Sequence, residues 1–205
     1  MKFTLITGAS SGIGAQYARQ SAAAGQNLIL VSNQPQPLQE LSANLAEQYG
    51  VTVKSLDIDL SACDAAQRVY DAASGWGEVD CLISNAGVLH FGKFNNTSTE
   101  YIDFITALHC TTPMKLCRLF GADMARRGYG KIIIMSSMTA WTPYPTMSLY
   151  GSTKVALKSF AQSLWYELRE HNVTVTTIFP GAVDTPLYNL SDRARKYLRA
   201  FGVMT

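Results

Sequence analysis

The chain has 205 residues, 47% of them apolar and 16% charged, with a formal net charge of +2. That length gives one domain with a core of useful size, and the composition is globular, not disordered. A near-neutral balance without a long basic run excludes a nucleic-acid binder, and no stretch reaches the ~18 apolar residues of a membrane span. The apolar start over residues 1–6 is too short for a signal peptide, so a cytoplasmic protein is expected. Cys63, Cys81, Cys110 and Cys117 form no C-x-x-C pair and have no nearby His set, so they read as buried free thiols with no metal.

Residues 3–6 predict a short strand that runs into Thr7-Gly8-Ala9-Ser10-Ser11-Gly12-Ile13-Gly14. Ala15, Ala18, Ala22 and Ala23 continue as a helix that Gly25 stops. Strand, glycine turn and helix together form the context a dinucleotide loop requires. Glycines let the backbone approach a pyrophosphate, and the helix start offers unpaired N–H groups and a positive dipole end. The spacing is G-x-x-x-G-x-G, and a glycine-rich turn alone is often only a turn.

Residues 28–31 predict the second strand. An acidic residue just past it would take a ribose 2′-hydroxyl and a basic one a 2′-phosphate. Ser32 and Asn33 stand there with neither charge. No carboxylate repels a phosphate, and Ser10, Ser32 and Asn33 offer it hydrogen bonds, so NADP is favoured and NAD stays open. Pro35 and Pro37 precede a helix over about 38–49, ended by Gly50, and residues 51–56 predict the third strand. Ser61 reads as the cap of the next helix, and Asp59 as either a cap or an acceptor for an adenine amine. The fourth strand, 80–84, ends in Asn85-Ala86-Gly87. This alternation predicts an α/β protein with a parallel, doubly wound sheet, in which ligands sit at the carboxyl ends of the strands.

Residues 101–127 predict one long helix, and 131–135 a fifth strand that stops at Ser136-Ser137. A loop with Pro143 and Pro145 leads to Tyr150-Gly151-Ser152-Thr153-Lys154 and a helix reaching Leu168. The apolar stripes of both helices read as core, with part of each facing a second subunit. Tyr150 and Lys154, four apart, share one helical face. A free phenol titrates at ~10, and a neighbouring ammonium favours the phenolate, so the pair suits acid–base work. Alone it reads more readily as a helical surface pair. Ser137 adds a hydroxyl from a strand end. Residues 173–179 predict a sixth strand that breaks at Pro180-Gly181, and a segment over 187–201 completes the chain. Trp141, Tyr144, Met147, Leu187 and Tyr188 read as walls of a pocket for an apolar substrate, or as loop packing.

In this order, Thr7-Gly8-x-x-x-Gly12-Ile13-Gly14, Asn85-Ala86-Gly87, Ser137, Tyr150-x-x-x-Lys154 and Pro180-Gly181 resemble the short-chain dehydrogenase/reductase family over essentially the whole chain. Residues 80–188 are most similar to its branch of hydroxysteroid dehydrogenases and long-chain ketoacyl reductases. The resemblance implies a three-layer Rossmann-type fold over 1–205, with 181–205 as a substrate loop. It also implies a homodimer or homotetramer and hydride transfer between a nicotinamide and a carbonyl or secondary alcohol. By that resemblance Tyr150 is the acid/base, Lys154 holds the nicotinamide ribose, and Ser137 orients the carbonyl oxygen. Gly8, Ser10, Ser11, Gly12, Ile13 and Gly14 would line the pyrophosphate side, with Ser32 and Asn33 at the adenosine end. Asp59 would touch adenine, Asn85, Ala86 and Gly87 the adenosine ribose region, and Pro180, Gly181, Val183 and Thr185 the nicotinamide side.

The chain departs from the family twice. Where the family carries an Asn that helps hold a water on the path from the lysine, this chain has His109. It reads as a packing residue, as a support for that water, or as a direct proton shuttle titrating near neutral pH. Second, relatives run on for another strand and helix, so the chain is expected either to be truncated or to leave a sheet edge for a partner to cover. A cofactor-binding sensor or scaffold on the same fold is the rival to an enzyme. The presence of Ser137, Tyr150 and Lys154 argues against that rival.

Overall fold

The computed structural model describes residues 1–185 and 187. Six strands, β1 (Lys2–Thr7), β2 (Asn27–Ser32), β3 (Val53–Asp57), β4 (Glu78–Ser84), β5 (Gly130–Met135) and β6 (Val173–Ile178), form one parallel sheet in the order β3-β2-β1-β4-β5-β6. The helices are α1 (Gly12–Ala23), α2 (Pro35–Tyr49), α3 (Ala65–Trp76), α4 (Thr99–Thr106), α5 (Thr112–Arg127) and α6 (Ser148–Leu168). Parallel strands are covered on both faces, which is why β1 and β2 read as near-continuous apolar runs. Alternate residues serve opposite cores. Leu5, Ile29 and Leu82 pack with Val69, Phe120 and Leu157 of α3, α5 and α6. Ile6, Leu30 and Ile83 pack with Ala18 and Leu41 of α1 and α2. The result is the expected three-layer, doubly wound sheet. Strand order reverses between β1 and β4, so the connections leaving their carboxyl ends diverge and open a crevice there.

Local chemistry explains most helix ends. Gly25 takes φ 76°, and its N–H donates to the Ala22 carbonyl while Gln26 N–H reaches that of Ser21. This is the left-handed stop that a glycine favours. Helix α2 starts at Pro35, ahead of the expected Leu38, because a first-turn proline loses no helical hydrogen bond. Ser61 does not cap α3, which begins four residues later. Its N–H and hydroxyl both donate to Asp59 Oδ1, at 2.9 and 2.8 Å.

The expected single helix over 101–127 is broken. Between α4 and α5 lies a π-turn, Ala107–Thr111, with His109 in it. Pro113 supplies the cause. It has no N–H for the carbonyl of residue 109, and its ring crowds that carbonyl, so the ladder widens. On α6 the apolar stripe divides into buried Leu157 and Ala161 and outward Val155, Trp165 and Tyr166.

The four cysteines are free. Burial pushes the Cys117 thiol up to about 12 and that of Cys81 to about 11, whereas Cys63 is exposed, against the expectation of four buried thiols. Among the described residues, no helix is long and apolar enough to cross a membrane, and no group of three His, Cys, Asp or Glu could hold a metal.

Candidate active site

A cleft of about 430 Å³ opens at the carboxyl ends of the strands, a size suited to small-molecule binding. Gly8, Ser10, Ser11, Gly12 and Ile13 line it from the β1–α1 turn. Gly8 has φ 66°, and a Cβ there would stand 2.8 Å from Ala86 Cα. Gly14 lies behind the wall; its Cβ would meet the Gly8 carbonyl oxygen at 2.1 Å. It is the residue that lets α1 close up beneath the turn. Ser11, the N-cap of α1, makes no side-chain cap bond, so the first-turn N–H groups stay available to an anion. This cradle fits a pyrophosphate. Thr7 Oγ1 accepts from the N–H groups of Asn85 and Ala86, at 2.9 and 3.1 Å. Asn85 Nδ2 donates back to the carbonyls of Thr7 and Gly8. Asn85, Ala86 and Gly87 line the cleft while stitching the end of β4 to the turn.

At the end of β2 three polar side chains form a chain. Ser32 Oγ donates to Ser10 Oγ at 2.8 Å, and Ser10 Oγ to Gln34 Oε1 at 2.9 Å. Asn33 sits exposed beside them on the cleft wall. Gln34 is a member that sequence reasoning misses, although it directly follows two expected residues. Pro35 and Pro37 remove two N–H groups from the first turn of α2, which makes that helix end a weak anion site. Asp59 lines the cleft, and its carboxylate closes the turn at Ser61; it does not cap α3, whose N-cap is Asp64.

Ser137, Tyr150 and Lys154 line the same cleft from the far side. Ser137 follows β5 in an extended conformation, and its Oγ accepts from Thr139 N–H at 3.2 Å. Ser136 Oγ donates to the Lys154 carbonyl at 2.8 Å, tying the end of β5 to α6. Lys154 is buried. Its Nζ donates to the Met135 carbonyl at 3.1 Å and lies 5.5 Å from the centroid of the Tyr150 ring. Burial pulls its amine down from 10.5 to about 8.

His109 does not line the cleft and is 0% exposed. Val88 N–H donates to its Nε2 at 2.9 Å, and its Nδ1 is 2.9 Å from Thr153 Oγ1. Burial first, then the Lys154 charge, hold its pKa well below the ordinary histidine value. A direct proton shuttle titrating near neutral pH is therefore not what this ring can be. It is neutral, enclosed, and engaged at both nitrogens.

Val88, Leu89, Phe104, Leu108 and Leu187 make an apolar lobe of the cleft. The sequence carries a signal for Phe104 and Leu108, which are four apart on one helical face, but the apolar stripe assigns Leu108 to core packing. Of the expected pocket walls only Leu187 is in place among the described residues. Trp141 instead meets Phe179 edge-to-face, ring centroids 5.3 Å apart, with Lys158 Nζ 3.3 Å from the centroid of its ring. Tyr144 is exposed and Met147 is buried. Tyr188, and the expected substrate loop beyond 181–185 and 187, lie outside the described residues. Pro180, Gly181, Val183 and Thr185 all line the cleft, and Pro180 accepts from Met138 N–H at 3.1 Å. Gly92 N–H donates to the Thr146 carbonyl at 2.9 Å, tying the loop after β4 to the loop before α6, and Thr146 holds φ 66°.

A crevice at a reversal of strand order, floored by a glycine turn, is the mark of a dinucleotide-binding protein. The chain belongs to the short chain dehydrogenase family, whose match extends over residues 2–196. It is 35% identical over 196 residues to the uncharacterized oxidoreductase YmfI of Bacillus subtilis (strain 168), covering 95% of this chain and 80% of that one. Among solved structures, a short-chain dehydrogenase from Sphingobium yanoikuyae in complex with NADPH superposes with a TM-score of 0.88 at 32% identity, over 92% of this chain and 74% of that one. A 7beta-hydroxysteroid dehydrogenase does so with a TM-score of 0.92 at 27% identity, over 100% and 79%. The expected hydroxysteroid dehydrogenase branch is thus among the similar proteins. With the family goes NAD(P)-dependent oxidoreduction of a small molecule.

Proposed function

We propose that this chain is a carbonyl reductase and secondary-alcohol dehydrogenase in which Tyr150 is the acid/base at the substrate oxygen. The observation that carries this reading is that Ser137, Tyr150 and Lys154 wall the same cleft as the glycine turn. A bound nicotinamide supplies hydride to the substrate carbon, or accepts it from there. In reduction the Tyr150 hydroxyl gives its proton to the carbonyl oxygen; in oxidation the phenolate takes the alcohol proton. The Ser137 hydroxyl donates a hydrogen bond to that oxygen and orients it. Lys154 holds the nicotinamide ribose, and its ammonium stabilises the phenolate.

The dinucleotide would lie along one line of the cleft. Gly8, Ser10, Ser11, Gly12 and Ile13 take the pyrophosphate, with Gly14 supporting the turn. Asp59 takes adenine, and Asn85, Ala86 and Gly87 the adenosine ribose region. Pro180, Gly181, Val183 and Thr185 flank the nicotinamide. Ser10, Ser32, Asn33 and Gln34 present neutral donors and no carboxylate to the 2′ position, so NADP is favoured over NAD by a modest factor. The NADPH complex of the Sphingobium relative supports this choice. The apolar lobe of Val88, Leu89, Phe104, Leu108 and Leu187 suits a bulky apolar ketone, in keeping with the hydroxysteroid dehydrogenase among the similar structures.

Loss of NADPH absorbance with a panel of steroid, aryl and long-chain ketones tests the reading. Tyr150→Phe is expected to lower turnover by about 10²–10⁴-fold while NADPH affinity stays within about threefold. NADPH binding without turnover on any ketone would favour the sensor.

A further inference from the structure

We propose that His109 is a positioning residue: its imidazole, with the proton on Nδ1, bridges the Val88 N–H to the Thr153 hydroxyl and fixes the first turn of α6, with Tyr150 and Lys154, against the loop after β4. This deepens the function proposed above and rests on it for its catalytic consequence.

Hydrogen-bond direction decides the tautomer. A backbone N–H can only donate, so Nε2, 2.9 Å from Val88 N, must be the bare nitrogen. The single ring proton then sits on Nδ1 and points at Thr153 Oγ1, also at 2.9 Å. Thr153 Oγ1 in turn donates to the Tyr150 carbonyl at 2.7 Å. Every group in the series Val88, His109, Thr153, Tyr150 has one role and one direction. A second ring proton would set an N–H against an N–H and break it at Val88.

The packing agrees. The imidazole meets the Tyr150 ring edge-on, centroids 5.8 Å apart at 80°. Residue 87 must be small for this to fit, since a Cβ on Gly87 would come within 3.0 Å of His109 Nε2 and 3.7 Å of Lys154 Nζ. The π-turn over Ala107–Thr111 holds the ring at this depth, behind the cleft wall and not in it. Lys154 and Tyr150, both on α6, are the titratable groups against the ring, and the Lys154 charge opposes its protonation. The ring thus joins two elements that no covalent neighbour joins: the loop after β4 through Val88, and α6 through both Thr153 and the edge of the Tyr150 phenol. Loss of either hydrogen bond frees α6 to shift, and misplacement by about 1 Å is enough to cost about 10²-fold in rate.

The test uses the full chain. Nitrogen NMR of the ¹⁵N-histidine-labelled protein, without substrate, is expected to show His109 as the Nδ1–H tautomer, with no second proton taken up from about pH 6 to 9. Thr153→Val is expected to lower kcat by about 10–100-fold with NADPH affinity within about threefold, and Thr153→Ser to restore it. His109→Phe should lose as much as Thr153→Val, and the double variant no more than either, because both cut one series. If His109→Phe fails to fold, the Thr153 pair and the NMR spectrum still decide. A ring that titrates in that range, a Thr153→Val variant with unchanged kcat, or losses that multiply would each overturn the proposal. Failure of the function itself would show separately, as a Tyr150→Phe variant that keeps its turnover.

Discussion

The turn after β1 and the first turn of α6 face each other across one cleft, yet they are built from different materials. Around Gly8 and Gly14 the wall is backbone at very close approach. A Cβ on Gly14 would stand 2.1 Å from a carbonyl oxygen, and the side chains of Thr7 and Asn85 only stitch that backbone to the end of β4. Around Lys154 the wall is held by side chains: Ser136 on the Lys154 carbonyl, Thr153 on that of Tyr150, His109 on Val88. A backbone cradle recognises what every dinucleotide shares and leaves no room for a larger residue. A side-chain scaffold can be rebuilt with other residues. The first region therefore resists substitution, while the second is where this chain can differ in chemistry.

That contrast can be broken most severely at Gly14. Gly14→Ala forces its Cβ into backbone atoms of the turn, and NADPH affinity is expected to fall about 100-fold, with about 1–3 kcal/mol of stability lost to overpacking. Equilibrium fluorescence binding and thermal melts measure both. Unchanged affinity would show that the cradle yields more easily than its distances imply. A gentler change sharpens the comparison at the adenosine end. Asn33→Asp places a carboxylate where neutral donors now stand, and the ratio of kcat/KM for NADPH over NADH is expected to drop by about tenfold. A ratio that holds would mean the 2′ position is read by Ser10 and Ser32 alone.

A third test reads pH dependence and concerns the buried amine. Because Lys154 is pulled down to about 8 from 10.5, the unfolded chain binds more protons than the folded one between those values. Stability therefore rises with pH across that window, and the cost of burying the charge is full below it. In melts of the cofactor-free protein, the wild type should gain on Lys154→Met as pH climbs through the window and keep a constant gap beneath it. A gap that never changes would mean that the folded chain leaves this amine at its ordinary value.

Much of this molecule is legible in its residues alone. Leu28, Ile29, Leu30 and Val31 announce a strand covered on both faces because no polar residue interrupts them. The turn with Gly8, Gly12 and Gly14 announces itself because few other residues can occupy it. What stays hidden is set by partners far away in the chain. Local pattern puts Trp141 on the pocket wall, but Phe179 and Lys158, which that pattern does not contain, turn it aside. His109 invites a shuttle's role because an isolated histidine titrates near neutral pH; its enclosure and the nearby Lys154 are tertiary facts. The π-turn does leave a trace. Pro113, four residues past His109, cannot serve the helical ladder, but the apolar stripe around it masks the break.

Thr146 carries one more consequence. A β-branched residue held at φ 66° costs about 1–3 kcal/mol, and its carbonyl anchors Gly92 of the loop after β4 to the loop that leads into α6. Glycine or asparagine at 146 would relieve that tension and raise the melting point. The same relief would loosen the tie between the loop after β4 and the start of α6, which carries Tyr150. Engineers seeking heat tolerance at this position would be trading it against the placement of that helix start.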